Sequence, residues 1–202
     1  MAFTPTGSNY KRLSSTSGSA TVPLQTGDTP VHVTLSSKFD NSRTTVYSAA
    51  TTGTGTNFGV TADGLELLQT NTGTDASSNL GQLLTITFDR PVTNVHFRLT
   101  GFTQNAVAGN TFRDAVWAST VPSRQTINKT TGLTVEGSGT PSSPWLAPDG
   151  ANNAAARYVD LTYSGPISSL SFRYFNSSGK PTSQQAISIG NMTFNAYGAE
   201  NC

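Results

Sequence analysis

One pattern occurs twice in the chain, and it fixes most of what the chain can fold into. Leu84 to Arg98 reads LTITFDRPVTNVHFR, and Val159 to Arg173 reads VDLTYSGPISSLSFR, aligned without a gap at an offset of 75 residues. Within each copy, apolar and polar residues alternate. Leu84, Ile86 and Phe88 fall on one side and Thr85 and Thr87 on the other, which is the period of a strand with one dry and one wet face. A proline follows, at a place where no ladder donor is needed. A second run then predicts Val95, Phe97 and Leu99 inward and His96 and Arg98 outward. The later copy predicts Leu170, Phe172 and Tyr174 inward, with Ser171 and Arg173 outward. Two such strand–Pro–strand ribbons suggest two matched layers of a β-sandwich. If each ribbon closes as a hairpin, Asp160 lies opposite Arg173. If it crosses between sheets, the two charges lie far apart. Two copies are too few for a solenoid.

The chain has 202 residues, which suits a single β-sandwich domain over 1–202 with residues 1–30 as an extended N-terminal arm. Only 11% of residues are charged and the formal net charge is +1, so the basic stripe of a nucleic-acid binder is missing. No apolar run approaches the ~20 residues that a membrane helix requires, so membrane insertion is not expected. Apolar content is modest, but 18 aromatic residues and the period-2 pattern argue for a packed core. Met1 is followed by Ala-Phe-Thr-Pro, without the basic start and apolar centre of a secretory leader, so a mature fragment with an added Met is expected. Cys202 is the only cysteine, which excludes an internal disulfide.

Further strands are expected around Ala20 to Leu24 in the arm, and at Val31 to Leu35, Thr44 to Ala49, Leu65 to Thr70, Phe112 to Ala118, Gln125 to Asn128, Leu133 to Glu136 and Ala186 to Ala196. Gly101 to Thr111 and the Pro- and Gly-rich Gly137 to Asn153 are expected as loops. Ala151 to Arg157 is the one helix candidate and is too short to carry weight. The fold class is therefore all-β: an antiparallel β-sandwich, jelly-roll-like.

The repeated F-x-x-P-V-x-x-V-x-F-x-L pattern, with Phe112-Arg113-Asp114-Ala115-Val116, Gly137-Ser138-Gly139-Thr140 and Ser143-Pro144-Trp145, resembles a β-sandwich domain of secreted and wall-anchored bacterial surface proteins of actinobacterial type. The resemblance spans roughly residues 58 to 197. It implies an extracellular or cell-surface module for adhesion, display or carbohydrate contact. Members often carry acidic residues after the second strand of the pattern, where this chain reads Gly101-Phe102-Thr103-Gln104.

Catalytic signals are weak. His32 and His96 occupy outward strand positions, no G-x-S-x-G elbow is present, and the two histidines lack the spacing of a zinc-binding pair. No catalytic residue is therefore assigned, and the chain is not expected to be an enzyme. No cofactor is expected either. The one exception the residues allow is calcium, with Asp75 and Asp114 as ligands, although turn capping is the ordinary use of such aspartates. Exposed aromatics are the better binding signal, because a sugar's C–H face stacks on them. Trp145 in its Pro-rich loop, Trp117 and Tyr10 are the candidates. Trp is usually buried, which favours Trp145 as a plug for the end of the sandwich. A Lys11–Asn195 isopeptide beside Glu66 is available in residue type only, and the sequons at Asn128, Asn176 and Asn191 are expected by chance in so Asn-, Ser- and Thr-rich a chain.

These residues predict a non-catalytic surface or adhesion module whose partner is a glycan or a surface protein, with the oligomeric state open. The alternative is a structural coat or appendage subunit, of a phage or a surface assembly. A glycan-active hydrolase is third.

Overall fold

The computed structural model describes residues 10–14, 16–23, 29–39, 44–46, 58–61, 64–71, 81–107, 110–127, 134–149, 157–180 and 182–196. Among them every regular element is a strand. In chain order these are β1 (Tyr10–Arg12), β2 (Ser17–Val22), β3 (Val31–Phe39), β4 (Thr44–Val46) and β5 (Phe58–Thr61). There follow β6 (Gly64–Asn71), β7 (Gln82–Thr100), β8 (Gln104–Val107), β9 (Asn110–Ala118) and β10 (Arg124–Ile127). The last five are β11 (Trp145–Leu146), β12 (Tyr158–Tyr163), β13 (Ile167–Asn176), β14 (Thr182–Ile189) and β15 (Thr193–Ala196). Every described pairing is antiparallel. No helix among the described residues is long and apolar enough to cross a membrane. Asp63, Asp75, Asn128, residues 151–156 of the helix candidate and Cys202 lie outside the described residues.

The first copy of the repeat is one strand rather than two: β7 runs for 19 residues straight through Pro91. It can do so because no partner asks for the missing N–H. Pairing with β3 begins at Phe88, and the register with β13 shifts between Ile167 and Ser169, opposite this segment. The buried side changes phase there. Leu84, Ile86, Phe88 and Val92 are buried on even numbers, and Val95, Phe97 and Leu99 on odd ones. Asn94 sits between the two phases with φ 51°, in the left-handed region that Asn tolerates better than most residues. One residue in that conformation re-aims the strand as a bulge does.

The second copy splits into β12 and β13, and both halves pair with β7. Tyr158 to Tyr163 face Thr100 to Val95, and Ser169 to Tyr174 face Thr87 to Gln82. The two copies thus lie side by side and antiparallel, hydrogen-bonded to each other. This corrects the expectation of one ribbon per layer. It also fixes the partner of Asp160, which is Arg98 on β7 and not Arg173.

The path of β7 brings its own two halves close together. Leu84 is the register partner of Phe172, yet the ring of Phe97 meets the ring of Phe172 with centroids 5.4 Å apart. A straight strand at ~3.3 Å per residue would separate Leu84 from Phe97 by roughly 43 Å. The strand must therefore bend sharply, which brings the dry sides of its two halves onto one apolar cluster, an arrangement consistent with the expected sandwich. One apolar cluster fills the interior, from Val33, Leu35, Leu84 and Ile86 to Phe97, Leu161, Phe172, Ile187 and Ile189.

Three sequence expectations change. The N-terminal arm, where one strand around Ala20 to Leu24 is expected, contains two, β1 and β2, which pair in turn onto β3. Its apolar period was hidden because the inward residues of β2 are Gly18 and Ala20, and Tyr10 fills the space over Gly18, where a Cβ would lie 2.4 Å from its ring. The expected loops hold β8 and β11. Arg173, expected outside, is buried beside Leu83 and Trp117, its register partners on the neighbouring strands.

Candidate functional site

The outer face of the β2–β3–β7–β13 layer carries two rows of hydroxyls in cross-strand register. One row runs Ser19, Thr34, Thr87, Ser169, and the next Ser17, Ser36, Thr85, Ser171. Each is at least partly open to solvent. Alternation places them there: their neighbours Ala20, Val33, Leu35, Ile86 and Leu170 point into the core. Within the second row, the hydroxyls of Thr85 and Ser171 bond each other at 3.1 Å. Adjacent strands are ~4.8 Å apart and same-face neighbours along a strand ~6.7 Å apart, so the rows form a regular uncharged grid of donors and acceptors. A third row continues Lys38, Leu83, Arg173, Trp117. The Arg173 guanidinium lies 5.8 Å from the centre of the Trp117 ring, a cation–π distance. Burial holds the Arg173 pKa below its ordinary value.

Of the three aromatic candidates, Trp117 alone keeps a partly open side chain. Trp145 is fully buried, and its indole Nε1 donates to Gln125 Oε1 at 2.9 Å. The Gly-rich turn before it explains this. The N–H groups of Ser138 and Gly139 donate to the Ser143 carbonyl at 2.9 and 2.8 Å, which folds the segment back on itself. The indole then lies on Gly139, where a Cβ would come within 2.2 Å of the ring. Trp145 is a plug, and its role as a stacking platform is corrected. Tyr10 is 9% exposed and packed over Gly18, so it offers no open face either.

Asp114, the described calcium candidate, is wholly buried, and hydrogen-bond donors engage both its oxygens. Tyr174 Oη donates to Oδ1 at 2.7 Å, and the Thr103 amide and hydroxyl both donate to Oδ2 at 2.8 Å. Burial pushes its pKa up to about 7, against the three hydrogen bonds, which pull it down. Tyr174 is raised in turn by burial and by the facing carboxylate. This is a structural pair that ties β13 to β9, not an open ligand set, and the calcium expectation for Asp114 is corrected accordingly. Among the described residues, no three His, Cys, Asp or Glu side chains gather as metal ligands would.

The other candidates are scattered. His32 is exposed, its Nδ1 3.2 Å from Thr21 Oγ1, and His96 is exposed on the second half of β7. Lys11, Asn195 and Glu66 stand on β1, β15 and β6, which among the described pairings do not pair with one another. Asn176 is buried, its amide bonded to the carbonyls of Thr111 and Lys180, so that sequon is closed. Two features were missed in the sequence, the hydroxyl grid and a group of buried glutamines. For Gln69, Gln82 and Gln185 the signal was present, since each continues an inward period with Leu67, Leu84 and Ile187.

No protein-family model matches the chain, and no curated protein or solved structure matches it either.

Proposed function

We propose that the chain is a non-catalytic module of an extracellular or cell-surface protein, and that it binds a neutral glycan on the hydroxyl grid beside Trp117. The grid is the observation that carries this reading: eight Ser and Thr side chains in register on one face, without a charge among them. Sugar hydroxyls both donate and accept, as Ser and Thr hydroxyls do, and an aromatic ring face supplies the apolar contact that a sugar's C–H groups need. The near-neutral chain favours an uncharged partner over a phosphate-bearing one. A glycan array probed with the wild type and with Trp117→Ala tests it. Binding that drops at least tenfold in the variant is expected. No binding by the wild type, or equal binding by both, sinks it.

A structural coat or appendage subunit is the second reading. It is favoured by β10, whose one described partner is β12 and whose four residues are largely exposed. An open edge invites pairing with another chain. Light scattering across a concentration series separates the two: growing assemblies favour the subunit, and a constant mass favours the binding module.

A further inference from the structure

We infer that the interior around Tyr174 is a binding site for ordered water, held by Gln69, Gln82 and Gln185. All three side chains are 0–2% exposed. Gln69 and Gln185 are register partners on β6 and β14, and Gln82 is the register partner of Tyr174 across β7 and β13. The Gln69 amide reaches over to the Tyr174 carbonyl at 3.4 Å, which brings the two pairs together in the core. Gln82 Nε2 donates to Ser37 Oγ at 2.8 Å. Four amide atoms then remain without a well-formed hydrogen bond to any described residue: the Oε1 of each glutamine and Nε2 of Gln185, whose amide lies near enough to the Tyr174 hydroxyl to pull that group's pKa down against the effect of burial.

A buried polar atom left unpaired destabilises the fold, and native interiors rarely leave several together unpaired. The chemistry of the four decides the ligand. A hard cation takes oxygens only and would leave Gln185 Nε2 unserved. An apolar molecule would serve none of them. Water both donates and accepts, and a buried water makes about three hydrogen bonds, so one or two molecules complete the set. The site joins the polar group at the same end of the core, where the Tyr174 hydroxyl bonds Asp114.

The test is water–protein cross-relaxation NMR on the isotope-labelled full chain, combined with Gln185→Met, which keeps the length of the side chain and removes two of the four atoms. Cross-peaks from a long-lived water to the side-chain amide protons of Gln69, Gln82 or Gln185 are expected in the wild type. In Gln185→Met they weaken or vanish and Tm falls, because the water loses partners. Absence of these cross-peaks from the wild type overturns the site. So does a rise in Tm in Gln185→Met, the result expected if the atoms were merely stranded. Should the variant fail to fold, the wild-type cross-peaks decide alone.

Discussion

Phe97 and Phe172 hold the same position in the two copies of the repeat, and their rings meet edge to face, centroids 5.4 Å apart and planes at 86°. Equivalent residues touch where two antiparallel copies fold around a common centre. Both rings are essentially without exposure. Truncating either to Ala removes a large buried ring and leaves a cavity, for an expected loss of about 3–5 kcal/mol. The double variant should lose less than the sum, by ~0.5–1.5 kcal/mol, the usual worth of an edge-to-face pair. Urea unfolding of the four proteins measures this, and strict additivity would count against the contact.

Asp114 makes stability depend on pH. Its carboxyl titrates at about 7 in the folded chain against an ordinary 3.8. The folded state therefore holds the proton more tightly than the unfolded state does. The stabilisation is complete below about pH 4 and is lost as pH rises through 7. At ~1.4 kcal/mol per unit the swing is up to about 4 kcal/mol. Asp114→Asn stays uncharged throughout, so the urea midpoint of the wild type relative to this variant should fall between pH 4.5 and 7.5. A constant difference would show that Asp114 titrates normally.

Arg98 is held twice on the outer face of the second half of β7. Its Nε and one terminal nitrogen donate to the two Asp160 oxygens at 2.8 and 3.0 Å, and its guanidinium lies 3.6 Å from the centre of the Tyr158 ring. The bond to Asp160 is the main cause of its raised pKa. The pair faces solvent, so screening limits its worth to under about 1 kcal/mol despite the two-pronged geometry. A double-mutant cycle with Arg98→Ala and Asp160→Ala should give coupling of that size, shrinking as salt rises towards ~1 M. Coupling well above it would mean that the pair is shielded.

Asn94 carries the change of phase in β7. Its φ of 51° suits Asn and Gly and strains a β-branched side chain. Asn94→Gly should shift the urea midpoint little, whereas Asn94→Val should cost ~1–2 kcal/mol. Equal stability of the two variants would place the bend elsewhere.

Much of the fold was legible because a strand writes its two faces into alternate residues. Leu84 to Phe88 and Val95 to Leu99 have the inward faces that the repeat predicted, and His96 and Arg98 point out. Pairing was not legible. Nothing in the repeat distinguishes two ribbons in two layers from two ribbons hydrogen-bonded together, because either arrangement buries the same side chains. Arg173 was misplaced because the alternation marks its side of β13 as outward but does not say that Trp117 and Leu83 flank it there. The candidate site was the least legible part. Trp145 and Trp117 look alike in sequence, and only the turn over Gly139 buries the first. The hydroxyl grid exists only once four strands are in register.

The pairing of the two copies is tested most directly by through-space contacts between selectively labelled rings and strands. Cross-peaks between the ring protons of Phe97 and Phe172, together with contacts from Leu161 to Phe97 and from Phe172 to Leu84, are expected in the native chain. Their absence, with either ring exchanging freely with solvent, would contradict the fold described above.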